Sequence, residues 1–203
     1  MGVLELTLLH LNPGITPTDP NLISTLRSIR DQLGTGSRFF IDEANTPINL
    51  FILGVWPSID DHKDFLNDLD KNTRILGPQE HLTTFQWGVH LSNVSSMSSL
   101  PLTRDPLILR RYILSDDTTE NKIFQSIAAK LASGSRKSEE WIWREVMEPS
   151  QGTREYWVLQ VDEDGFGSYA EEALAEMEKM GLAGVDVWRL RDLERMVDEV
   201  GKK

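Results

Sequence analysis

Histidine is the side chain whose ordinary pKa lies nearest neutrality, so a histidine on the inner face of a helix is the first place to look for proton chemistry. The sequence has four: His10, His62, His81 and His90. His10 and His90 end strand-like apolar runs and His81 lies in a loop, positions where an imidazole is structural or solvated. His62 differs. Ile59, His62, Phe65, Leu66 and Leu69 fall on one helical stripe. A neutral imidazole there either accepts a proton from a phenol or an acidic carbon, or sits at the core boundary and hydrogen-bonds locally. The four histidines have no metal-ligand spacing and no His-x-x-x-His pair, so no metal is expected and no cofactor is invoked. The absence of cysteine excludes disulfides, thiolate nucleophiles and Cys-ligated metals. The Gly165-Phe166-Gly167 turn lacks the third glycine and the lysine of a phosphate loop. No serine sits in a nucleophile elbow.

Proton chemistry on a carbon acid needs more than a base. Glu145 and Tyr112 are the candidate second polar groups beside His62. Arg144 with Glu145, or Arg110 with Glu5, would form a charge pair able to hold an enolate or bind a carboxylate. The alternative for either pair is a salt bridge at a cavity mouth. Five indoles, Trp87, Trp141, Trp143, Trp157 and Trp188, are candidates for half-wet cavity walls, because a buried indole N–H needs an acceptor; plain core packing is the other reading. Phe51, Trp87, Trp143 and Glu5 are therefore taken as candidate substrate-binding residues.

The elements that would position these residues follow one order twice. Residues 3–11 read as a strand ended by Pro13-Gly14. Asp19-Pro20 offers an N-cap and a first-turn proline to a helix with Leu22, Leu26, Ile29 and Leu33 inward and Gly34 at its end. Two strands follow over 37–44 and 48–56, the second apolar on both faces and so central. Ser58 and Asp61 have capping-box spacing before the His62 helix, and 83–91 alternates as a fourth strand. The order recurs as a strand over 107–114, a helix over about 118–133 and strands over 139–147 and 154–161. A helix capped by Ser168 and a last strand over 185–191 complete it, before a short terminal helix over 192–201.

A split β-α-β unit written twice predicts an α+β chain of two ferredoxin-like β-α-β-β-α-β units whose sheets face each other to form an intramolecular barrel with an internal cavity. The expected organisation is residues 1–91 as the first unit, 92–105 (SNVSSMSSLPLTRD) as a serine-rich linker, and 106–203 as the second unit with its C-terminal helix. Strand alternation then assigns sides. Leu4, Leu6 and Leu8 are expected to face the helices, sending Glu5, Thr7 and Leu9 to the lumen. Trp157, Leu159 and Val161 are likewise expected on the helices, with Tyr156, Val158 and Gln160 inward. For 107–114 both registers stay open: Arg110 with Tyr112, or Arg111 with Ile113.

The stretch Gly54-Val55-Trp56-Pro57-Ser58, followed by His62 and Phe65, resembles a pattern of the antibiotic biosynthesis monooxygenase family and its dimeric α/β barrel relatives. There a Gly-x-Trp-x-Ser run leaves the third strand, and a helix with a His and then a Phe follows. The resemblance covers residues 3–91 in pattern and motif. Residues 106–190 match in element order only, since Asp162–Ser168 has neither the Trp-x-Ser nor the His. It implies a tandem pseudo-dimer and makes Trp56 an aromatic pocket wall. It also implies one of several activities: cofactor-independent oxygenation of aromatic polyketides, haem degradation, decarboxylation or cyclisation. Haem-degrading relatives carry an Asn in the first strand, and residues 3–11 have none.

Composition bounds the partners. With net charge −11 and no basic cluster, nucleic acid and anionic membranes are poor partners. No stretch reaches the ~20 apolar residues of a membrane span, and the Met1–Leu11 run lacks a basic leader, so a cytoplasmic location is expected. The expected partner is a small hydrophobic molecule, and the expected state is a monomeric pseudo-dimer or a homodimer. The expected function is a cofactor-independent enzyme on an aromatic or polyketide-like molecule, working by oxygenation or by proton-driven cyclisation or decarboxylation. A non-catalytic small-molecule-binding or scaffold protein of the same fold is the alternative.

Overall fold

A computed structural model describes residues 2–91, 94, 96–102, 105–115, 119, 122–127, 141–147, 149, 153–161 and 184–201, with only the backbone for 115, 141–144, 184 and 185. The chain forms two compact units: Met1–Met97 together with Leu190–Lys203, and Ser98–Arg189.

The first unit contains β1 (Val3–Leu11), α1 (Pro20–Leu33), β2 (Arg38–Asp42), β3 (Asn49–Trp56), α2 (Ile59–Asn67), α3 (Leu69–Leu76) and β4 (Thr83–Leu91). Its strands lie in the order β4-β1-β3-β2, and the pairs are antiparallel. This is the strand order of a ferredoxin-like unit, in which each helix connects two strands and packs back on one sheet face. The local signals explain the helices. Asp19 caps α1 by accepting from the Asn21 backbone N–H, Pro20 fills the first turn, and Gly34 ends the helix at φ 67°. Ser58 caps α2 by accepting from the Asp61 N–H.

The helix after Ser58 is two helices. Asp68 ends α2 and then caps α3, its carboxylate accepting from the Lys71 N–H at 3.0 Å. A short polar side chain that satisfies a backbone donor locally competes with a continuous helix. Leu69 therefore leaves the inner stripe and is 74 % exposed, whereas His62 and Phe65 remain buried.

Leu9, Leu11, Phe39, Ile41 and Leu50 pack with Leu22, Ile23 and Leu26 of α1 in the main core of this unit. The C-terminal helix Leu193–Val200 adds Leu193 and Met196 to the same cluster. Asp192 fixes its start by accepting from the Glu194 and Arg195 N–H groups and by pairing with Arg38. The last residues of β8 (Gly184–Asp192) pair with β2, Phe40 opposite Asp192 and Ile41 opposite Arg191.

The structure reverses the expected sides of β1. Glu5, Thr7 and Leu9 face α1, α2 and α3, while Leu6 and Leu8 pair with Leu53 and Phe51 on the other face. Alternation separates two faces but does not say which one the helices cover. Here the leucines on both faces are buried, so hydrophobicity could not break the tie.

In the second unit, β5 (Leu107–Ser115), β7 (Thr153–Val161) and β6 (Trp141–Glu145) pair antiparallel in that order, and residues 122–127 are helical. Phe124 packs against Tyr112 at 5.4 Å and Tyr156 at 4.5 Å between ring centroids. Arg110 and Tyr112 therefore share the helix-covered face of β5, and Tyr156 lies on that face too, opposite to expectation. Arg111 and Ile113 point the other way. The Ser168 helix and the Gly165-Phe166-Gly167 turn lie outside the described residues.

Candidate active site

Between the sheet of the first unit and its helices lies a cavity of about 400 Å³. Its floor is read directly from strand register. Glu5 lies between His90 of β4 and Gly54 of β3, one residue pair further Thr7 lies between Gly88 and Ile52, and beyond it Leu9 lies between Phe85 and Leu50. The floor thus runs from polar to apolar along the strands. A break in register between Leu8 and Leu9 keeps Phe85 and Gly88 on the same side. Ile29 and Leu33 of α1, Phe65 of α2 and Leu76 of α3 roof the apolar part. A volume of this size, mostly apolar with a few convergent polar groups, is that of a small-molecule site.

The polar end is a connected set of side chains. The Glu5 carboxylate accepts from the Trp56 indole N–H at 2.6 Å and from the Thr7 hydroxyl at 2.9 Å. His62 Nε2 lies 3.6 Å from the same Glu5 oxygen that binds Trp56. His62 Nδ1 lies 2.7 Å from His90 Nε2. The imidazole stacks on Trp56 with ring centroids 4.5 Å apart, and Phe65 packs beside both rings, 5.5 Å from the indole and 6.5 Å from the imidazole.

Ser58 sets the start of α2 and therefore the phase that turns His62 and Phe65 inward. Gly54 makes room at the rim. A Cβ there would stand 2.7 Å from Ser37 Oγ, in a place occupied by the 2.6 Å hydrogen bond between the Thr35 and Ser37 hydroxyls. The Gly54, Trp56, Ser58, His62 and Phe65 of the sequence motif thus act on one wall of one cavity.

Burial lowers the pKa of His62 below its ordinary 6.5; the nearby Glu5 carboxylate pulls it up and His90 pushes it down, and burial prevails. His62 is therefore a neutral imidazole at neutral pH, next to a carboxylate that stabilises its conjugate acid. Arg30 also lines the cavity. Its guanidinium is held by Glu194 of the C-terminal helix at 2.7 Å, and Arg27 binds the same carboxylate at 2.9 Å. Among the described residues, no group of three or more His, Asp or Glu side chains could hold a metal ion.

The sequence-predicted site residues divide by location. His62, Trp56 and Glu5 meet in the cavity. Phe51 and Trp87 contact each other, ring centroids 6.2 Å apart, on the sheet face away from it. The Glu5 carboxylate is held by an indole and a hydroxyl of its own unit. Tyr112 is buried in the aromatic cluster of the second unit. Glu145 pairs with Arg154 at 2.9 Å; the side chain of Arg144 lies outside the described residues. Trp143 is opposite Val158 in the register, and its side chain and that of Trp141 lie outside the described residues.

Two features escaped sequence reasoning. His90 looked like a strand-end histidine; its place beside His62 depends on β4 pairing with β1. Glu155 is a buried carboxylate in the second unit that receives both Arg111 Nε and Nη2, at 2.8 and 3.0 Å, and the Trp157 indole at 2.8 Å. The odd-numbered alternation of Arg111, Glu155 and Trp157 was visible, but the cross-strand partnership was not.

No protein-family model matches the chain, and no curated protein does. Solved structures do. A candidate monooxygenase from Fusobacterium nucleatum superposes with TM-score 0.62 at 11% identity, over 95% of this chain and 92% of that one. A candidate monooxygenase from Lactobacillus acidophilus gives TM-score 0.60 at 13% identity, over 95% and 94%. An anthrone oxidase-like protein gives 0.54 at 11%, over 94% and 91%. Identities this low carry the fold alone: α+β, built of ferredoxin-like units, of the dimeric α/β barrel kind.

Proposed function

We propose that the chain is a cofactor-independent enzyme that removes a proton from an aromatic or polyketide-like molecule bound in the first unit, with His62 as the proton acceptor. One observation carries the reading: a neutral, buried imidazole sits between an indole and a carboxylate at the polar end of an otherwise apolar cavity. In the tautomer with its hydrogen on Nδ1, His62 donates to His90 and presents the Nε2 lone pair beside Glu5. A phenol or activated CH₂ placed there gives its proton to Nε2. The imidazolium is then stabilised by Glu5, and the substrate anion rests on the apolar floor, where exclusion of water strengthens both contacts. The Trp56 N–H holds Glu5 in place, so the carboxylate is fixed before the charge forms.

The neighbouring proteins' descriptions as monooxygenases and as anthrone oxidase-like support oxygenation as the reaction. For an anthrone-type carbon the balance is CH₂ + O₂ → C=O + H₂O. The carbanion left after proton loss adds dioxygen, the peroxide takes up a proton, and loss of water leaves the carbonyl. Carbon gives up four electrons and dioxygen takes four. The same first step also serves cyclisation or decarboxylation of a related substrate.

The test is turnover of anthrone and a panel of fused-ring phenols in air, followed by absorbance, for the wild type and His62→Ala. Loss of about 10²-fold or more in the variant is expected, the scale of one general base. Equal rates in both, or no rate above the spontaneous one, overturns the reading; binding without turnover would assign the fold a carrier role.

A further inference from the structure

His62 is 5 % exposed, and the proton it accepts must be held or passed on until the peroxide takes a proton up. Its Nε2 faces Glu5 and the cavity. Its Nδ1 faces one side chain, His90, at 2.7 Å, and His90 is only half-buried while also lining the cavity. The two rings meet edge to face, 68° between planes and 4.9 Å between centroids.

We propose that His90 is a proton-relay residue: it carries the proton taken by His62 out to solvent. This rests on His62 being the proton acceptor. A proton from the substrate forms a bond at His62 Nε2; the Nδ1–H bond of His62 breaks as the Nε2–H bond of His90 forms; His90 then gives up its own Nδ1 proton to a solvent base. When the peroxide forms, the hops reverse: His62 Nε2 gives its proton to the peroxide, His90 Nε2–H returns a proton to His62 Nδ1, and solvent reprotonates His90 Nδ1, so both rings are restored and no net proton is released. The ionisable groups facing His62 are Glu5 from β1 and His90 from β4, and Arg30 from α1 lines the same cavity in an ion pair with Glu194. Glu5 favours the charged state of His62 and so holds the proton on that ring; the step to His90 runs against this pull and is completed when His90 gives up its Nδ1 proton to solvent. Sequence position hides this role, because His90 lies 28 residues from His62 and at a strand end.

The experiment compares wild type, His62→Ala, His90→Ala and His90→Gln in the anthrone assay, with and without added imidazole. The relay predicts that His90→Ala falls by about a hundredfold, the low end for a lost proton-transfer group, and that imidazole restores much of it. His90→Gln keeps a hydrogen-bonding group against His62 but cannot pass a proton, so it stays as slow as His90→Ala. Full activity in His90→Gln, or no rescue by imidazole, means His90 only holds His62 in place and overturns the relay. If His62→Ala is inactive while His90→Ala is not, the relay alone falls; if His62→Ala is fully active, the base assignment falls with it. A readout independent of turnover is ¹⁵N NMR titration of the free protein. The His62 curve is expected to change in His90→Gln, and an unchanged curve would count against the pair.

Discussion

At His62 the cost of charging a buried ring outweighs the pull of a carboxylate 3.6 Å away. That balance has a consequence for stability. The folded-state pKa lies below 6.5, so between the two values the unfolded chain binds a proton that the folded chain refuses. Stability contributed by neutral His62 is complete above about pH 6.5 and is lost as pH falls from there through the folded pKa. Urea denaturation at pH 7.5 and at stepwise lower pH should show this loss in the wild type and a smaller one in His62→Gln. Glu5 acts in the opposite direction. Glu5→Gln retains an acceptor for Trp56 but removes the negative charge, so the His62 pKa falls further. The acid limb of a pH–rate profile should move to lower pH, with a lower plateau because the imidazolium is less stabilised. An unmoved limb would mean that Glu5 does not act on the titrating base.

Whether those residues meet is decided by the elements that carry them. The α2 phase is set by Ser58, whose hydroxyl accepts from the Asp61 N–H at 3.1 Å. Ser58→Ala should lower stability by about 1 kcal/mol, the usual worth of an N-cap, read by thermal or urea unfolding. Gly54 sits on β3 where a methyl would collide with Ser37 Oγ at 2.7 Å. Gly54→Ala should cost about 1–3 kcal/mol, as overpacking does, and should weaken binding of a fused-ring phenol followed by Trp56 fluorescence. The caps were legible in the sequence because they are local: Asp19-Pro20, Gly34 and Ser58-x-x-Asp61 each fix a boundary through contacts within four residues. The break at Asp68 was not, because one carboxylate there serves as the end of one helix and the start of the next.

For the whole molecule, the chain returns at Leu190 to the unit it began, and its last helix completes the core beneath α1. Leu193 is fully buried, so Leu193→Ala should cost about 2–5 kcal/mol and lower the unfolding temperature of the first unit. A loss well under 1 kcal/mol would show that this helix is dispensable. The solved neighbours are matched over nearly their full length. Native mass spectrometry decides between the monomer, at 23.1 kDa, and the homodimer.

By itself the sequence determined the element order of the first unit, the caps at Asp19, Gly34 and Ser58, and the candidacy of His62, Trp56 and Glu5, because period, capping and turn chemistry act over a few residues. Only the tertiary structure decided which sheet face the helices cover, that Glu5 would meet His62, and that His90 would complete the set. Those depend on cross-strand register and on the packing of one buried face against another, and two faces equally rich in leucine leave no mark in the sequence of which lies within.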